Sequence, residues 1–258
     1  EELSNKQIEE KYQVIHEEMN KGKKKKIRAR LWNKIYTVQI VNDLERNKIV
    51  ADAIEEFTNY NLTSVTFVNE KLQQENIYNL LKDKYRQQIA CLDGSADVLT
   101  TRVPALARLA DGTSRGIICT RVINEGIDFP QANAGIKASA QSFEGNLKQQ
   151  LGRILRKVKK PEHKDIDTKE EQRVFWFDIC DMHNHYLAKH SMDRIKTYES
   201  EEAFDVRYVS DIGGVMEILN EQVVESKIIK TNKENPSKGR SYKKEGSTKS
   251  SKTSKKIR

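Results

Sequence analysis

The chain has 258 residues, 36% of them hydrophobic and 33% charged, and no apolar run approaches the roughly 20 residues of a membrane-spanning helix, which excludes that class. Its formal charge of +8 points to a polyanionic partner, yet ten Lys/Arg and two Asp/Glu fall between Thr231 and Arg258, leaving 36 charges of each sign elsewhere. Three scattered cysteines, Cys91, Cys119 and Cys180, exclude a disulfide framework; two sit in apolar runs, as buried small hydrophobes of a reducing, intracellular protein do.

In chain order, residues 1–41 are highly charged and include the basic run from Lys21 to Arg30. They read as a solvated helical connector with a basic face, and contact with a nucleic acid is the sharper reading of the same charges. The first residues, Glu1-Glu2-Leu3-Ser4, carry neither an initiator Met nor a signal-peptide pattern, as expected of a piece of a longer polypeptide.

Residues 42–200 alternate short apolar runs with amphipathic stretches. The expected strands are Ser64–Val68, Ile89–Leu92, Gly116–Cys119, Ala134–Ala138 and Val174–Ile179. Between them, Leu72–Lys84, Arg102–Ala110 and Gly145–Leu155 repeat apolar residues at helical spacing. Strands alternating with helices of this length predict a doubly wound α/β domain with a parallel sheet covered on both faces. Residues 201–230 read as a small helical appendage and 231–258 as a disordered basic tail suited to nonspecific phosphate attraction.

Two segments carry chemistry. Thr120-Arg121-Val122-Ile123-Asn124-Glu125-Gly126-Ile127-Asp128-Phe129-Pro130 follows the strand Gly116–Cys119, at the sheet edge where open α/β folds bind ligands. Gly126 lets backbone approach a ligand, Asp128 accepts from hydroxyls and Thr120 donates to a phosphate; an ordinary strand–loop–helix junction is the plainer alternative. Gln149-Gln150-Leu151-Gly152-Arg153-Ile154-Leu155-Arg156 puts two guanidiniums three residues apart on one helix face, a fork for phosphate, although a solvated basic face explains the charges as well.

Taken together, in this order and about two dozen residues apart, the segments resemble motifs V and VI of superfamily 2 helicases. Thr66-Phe67-Val68-Asn69 is similar to motif IV. Leu92-Asp93-Gly94-Ser95 with Arg102 is similar to the strand ending in His-Gly and its Arg-bearing helix, with Asp93 in place of the His. Phe177-Asp178-Ile179-Cys180-Asp181, then His183, Leu187, His190, Ser191, Arg194 and Tyr198, resembles the close of this domain in UvsW-type phage recombination-repair helicases, with XPB-type helicases as broader relatives.

The resemblance implies a RecA-like fold and the second of two motor domains. It assigns Arg153 and Arg156 as arginine fingers and Gln149 as a nucleotide sensor. Gly126 and Asp128 would lie against ATP, and Asn69, Thr120 and Arg121 against a nucleic-acid backbone. The phosphate-binding loop and the Mg²⁺ ligands are expected in a first RecA-like domain of the same polypeptide. This chain has neither a Gly-x-x-x-x-Gly-Lys-Ser/Thr nor an Asp-Glu-Ala-Asp run. The implied partner is single-stranded or branched DNA, bound independently of sequence, in the cytoplasm of a bacterial or phage-infected cell, or in a nucleus or mitochondrion. A non-catalytic RecA-like binding module and an RNA helicase domain are the alternatives. A dinucleotide enzyme would need a Gly-x-Gly-x-x-Gly that is absent. The residues Cys180, His183, His185 and His190 match no common zinc spacing, so no metal site is expected.

Overall fold

Every one of the five apolar runs becomes a strand: β1 Ser64–Phe67, β2 Ile89–Leu92, β3 Gly116–Cys119, β4 Ala134–Lys137 and β5 Phe175–Asp178. The structure, a computed structural model, describes residues 24–120, 129, 131–142, 144–155 and 174–221. The strands form one parallel sheet in the order β2-β3-β1-β4-β5. The three inner strands are buried at every position, while the edge strands are not. The expected burial of two cysteines therefore holds only for Cys119; Cys91 is exposed because its strand is the last of the sheet.

Helices flank the sheet: α1 Lys24–Tyr36, α2 Leu44–Asn59, α3 Lys71–Leu80, the short α4 Asp83–Arg86, α5 Val103–Ala110, α6 Glu144–Ile154 and α7 His185–Glu199. A further helical segment covers 212–221. The described residues from 24 to 216 group as one compact unit. No described helix is long and apolar enough to cross a membrane.

Local chemistry sets the helix boundaries. Asp43 caps α2, accepting from the Arg46 backbone N–H at 2.8 Å. Pro104 falls in the first turn of α5, where its missing N–H removes no helical bond. The single helix expected over Leu72–Lys84 is broken instead. Leu81 turns extended and is buried, and Lys82 is held by the buried Glu55 of α2 through its backbone N–H at 2.9 Å and its ammonium at 2.5 Å. A tertiary carboxylate outweighs helix propensity there.

The core on one face joins Val65, Phe67, Ile117, Cys119 and Leu92 of the sheet to Leu109 of α5 and Ile154 of α6. Its tightest point is Gly135 on β4, where a Cβ would stand 2.4 Å from the Trp176 ring and 2.6 Å from the Ile154 side chain. Glycine there lets α6 settle onto the sheet.

The described part of the N-terminal region is helical from Lys24, with Arg28, Arg30 and Lys34 exposed, and its end is packed on the domain. A wide turn over Thr37–Val41 follows α1, and Ile35, Tyr36, Ile40 and Val41 bury themselves with Ala140 and Leu187. The apolar residues interleaved with the charges outweigh the charge run in deciding its position, because their burial releases water from apolar surface.

Candidate functional site

A strand that ends in the interior leaves carbonyls that need donors, and this sheet satisfies its carboxyl edge with long polar side chains. Gln74 of α3 donates to the carbonyls of Leu92 and Ile118 at 3.1 and 2.6 Å. Gln73 reaches Ala138 at 3.1 Å, and Arg46 reaches the same carbonyl at 2.6 Å. Arg46 also forms a buried pair with Asp181 at 2.6 Å. These groups fix the ends of β2, β3 and β4, and hence the loops that leave them. The hydrophobic pattern gave no hint of them, since Gln73, Gln74 and Arg46 occupy helix positions that periodicity treats as ordinary polar sites.

Of the expected site residues that are described, Asn69 and Thr120 lie on this edge and Gln149 and Arg153 on α6. Asn69 leaves the end of β1 and donates from Nδ2 to the Tyr36 hydroxyl at 2.9 Å. Thr120 follows β3, buried, with its backbone N–H on the Leu92 carbonyl at 3.0 Å. Gln149 and Arg153 are four residues apart on α6. Gln149 is exposed, and Arg153, half-buried, lies near enough to Cys119 for its charge to act on that thiol, which burial pushes up. Arg121, Gly126, Asp128 and Arg156 lie outside the described residues.

The two sides of α6 differ in kind. Leu147, Gln150, Leu151 and Ile154 are buried, whereas Gln149 and Gly152 are exposed. A Cβ at Gly152 would meet no atom within 4 Å. A glycine inside a helix is destabilising by about 0.5–1 kcal/mol relative to alanine, and nothing among the described residues packs against this one.

Beneath α6 lies Lys137, 2% exposed, whose ammonium donates to the Ser139 hydroxyl at 3.1 Å and to Gln150 Oε1 at 3.4 Å. Burial pulls its pKa down to about 8 against the opposing pull of Asp178. Asp178, its partner across the strands, is already taken by Arg194 and by the Tyr198 hydroxyl. A lone lysine within an apolar strand is the one signal by which this group stands out in the sequence.

Asp93, in the position of the resembling segment's His, accepts from the Ser95 N–H and hydroxyl at 2.7 and 2.5 Å and pairs with Lys71 at 3.0 Å. The Ser95 hydroxyl, followed by Lys71, holds its carboxyl down to about 2, so it is an anion that shapes its own turn. His190 accepts from the Ser142 N–H at 3.1 Å and stacks on Trp32, and burial lowers its pKa. Among the described residues no group of three or more His, Cys, Asp or Glu side chains is placed to hold a metal.

A parallel sheet in this order, with its polar groups on the carboxyl edge and a Gln/Gly/Arg helix beside them, is a RecA-like α/β domain. Residues 45–158 match the family described as the helicase conserved C-terminal domain. No curated protein sequence matches it. Among solved structures it is similar to T4 UvsW, with 18% identity over 72% of this chain and 37% of that one at a TM-score of 0.49. It is also similar to S. cerevisiae Dbp5 bound to RNA and ADP BeF3, with 17% identity over 68% and 41% at a TM-score of 0.49. A third is E. coli DEAD-box protein SrmB, with 19% identity over 65% and 86% at a TM-score of 0.46. The chain thus spans about two fifths of the UvsW and RNA-bound Dbp5 chains it matches.

Proposed function

We propose that this domain is the second motor domain of an ATP-dependent DNA translocase acting in recombination or repair, completing in trans a nucleotide site held by another RecA-like domain. The observation that carries it is the outward side of α6, where Gln149 and the open Gly152 lie beside Arg153. Among the described residues nothing packs on Gly152, so this side of the helix has room for a docked nucleotide or domain. ATP with Mg²⁺, bound on a first domain, would be the phosphate group that Arg153 and Arg156 serve in this reading.

In this reading Arg153 and Arg156 stabilise the charge that develops on the transferred phosphoryl group, an effect of roughly 10³–10⁵ in rate for arginine fingers. Gln149 orients the γ-phosphate, with Gly126 and Asp128 beside the nucleotide. Asn69, Thr120 and Arg121 contact backbone phosphates, so binding ignores base sequence. DNA rather than RNA is favoured by the stretch from Phe177 to Tyr198, which resembles UvsW-type proteins.

The test is Arg156→Ala in the complete protein. DNA-stimulated ATPase should be abolished while DNA binding stays nearly intact; near-normal turnover would remove the finger assignment. The isolated chain should hydrolyse no ATP, and DNA-dependent turnover by the purified fragment would contradict the trans arrangement.

A further inference from the structure

We infer that α1 is a nucleic-acid-binding arm, whose exposed basic side extends the phosphate track that begins at Asn69. The inference rests on the nucleic-acid reading above but assigns a surface outside residues 45–158, the span of the helicase domain.

Three observations converge. First, α1 is fixed to the body. Ile35 and Tyr36 are buried, Leu31 and Trp32 pack beside them, and Trp32 stacks on His190 with ring centroids 4.6 Å apart. Second, its end is tied to the sheet edge, since the Tyr36 hydroxyl accepts from Asn69 Nδ2 at 2.9 Å. Third, its charge has one sign. Eight Lys/Arg and no acid lie between Lys21 and Tyr36, and Arg28, Arg30 and Lys34 are exposed. Among the described residues none of these three has an ion-pair partner.

Like charges four apart, as Arg30 and Lys34 are, destabilise a helix by a few tenths of a kcal/mol, so the run works against the helix in isolation. A polyanion reverses that sign. At ~1.5 Å of rise per residue, Lys34 and Arg30 stand ~3 and ~9 Å along the axis from Tyr36, within side-chain reach of a strand that passes Asn69. The ligand is therefore a phosphodiester backbone, recognised by charge and not by base.

The experiment is fluorescence anisotropy of labelled oligothymidylate with the full chain over a salt series. It compares wild type, Arg30→Ala/Lys34→Ala, and a control, Lys84→Ala/Lys196→Ala, that removes the same charge at exposed positions on α4 and α7. Losing two phosphate contacts should lower the slope of log K against log salt by ~1.4, and affinity at ~0.15 M salt by about tenfold. The control should retain wild-type affinity and slope. Unchanged binding in the α1 variant, or an equal loss in the control, overturns the inference. Wild-type chain that binds no oligonucleotide removes the nucleic-acid reading itself, which is a separate result. Urea midpoints verify folding; should the alanine variant prove unstable, Arg30→Gln/Lys34→Gln carries the same comparison.

Discussion

Arg194 closes on Asp178 with two parallel bonds, Nε and Nη2 donating to the two carboxylate oxygens at 2.7 and 3.1 Å. Its remaining nitrogen donates to the Ala140 carbonyl at 2.9 Å, so one side chain ties α7, the end of β5 and the loop after β4. Both side chains are buried, at 1% and 9% exposure. Removing one member of such a pair strands the other charge and costs about 3–5 kcal/mol. Arg194→Leu should lower stability by that amount in urea unfolding, and Arg194→Leu/Asp178→Leu should recover part of it. A single variant as stable as wild type would show that the pair is not buried in solution.

Lys137 gives a pH dependence of opposite origin. Its depressed pKa, about 8 against an ordinary 10.5, means the folded chain binds fewer protons than the unfolded chain between those values. Stability should therefore rise with pH from about 8 to 10.5, and the penalty should be fully present below 8. That difference corresponds to about 3 kcal/mol. Lys137→Met should stabilise the domain near neutrality and flatten its unfolding free energy over this window, as measured by urea titrations in an alkaline series.

Gly135 tests the seating of α6. Ala in its place would push against the Trp176 ring and Ile154 together, both held in the core. Overpacking of this kind costs about 1–3 kcal/mol. Gly135→Ala should lower the melting temperature and shift the Trp176 fluorescence, whereas a neutral outcome would mean that the helix sits farther from the sheet.

Gly152 should behave in the opposite way. Gly152→Ala should stabilise the isolated chain by about 0.5–1 kcal/mol, since a Cβ there meets no atom of the described residues. If the proposed trans nucleotide site forms on this side of α6, the same change in the complete protein should reduce DNA-stimulated ATPase. A variant both stabilised and fully active would show that the glycine has no such role.

The residues by themselves determined the five strands, the helix carrying Gln149 and Arg153, and the likeness to a helicase C-terminal domain over 45–158. Apolar runs in a parallel sheet are continuous and short, and an amphipathic helix repeats its apolar residues at helical spacing, so both features are local in the chain. Thr120 and Asn69 were readable for the same reason: each directly follows a strand, and a strand's end is a place on the sheet edge. What the sequence pattern misplaced were the break at Leu81 and the docking of α1. The first depends on Glu55, 27 residues from Lys82, and the second on Ala140 and Leu187, far along the chain. Tertiary structure alone decided that Gln73, Gln74 and Arg46 tie the strand ends, and that Asp178 belongs to Arg194 rather than to Lys137. Hydrogen-bond partners across a sheet edge leave no periodic trace in sequence, because any long polar side chain of suitable reach looks like a solvated one until the fold removes the water.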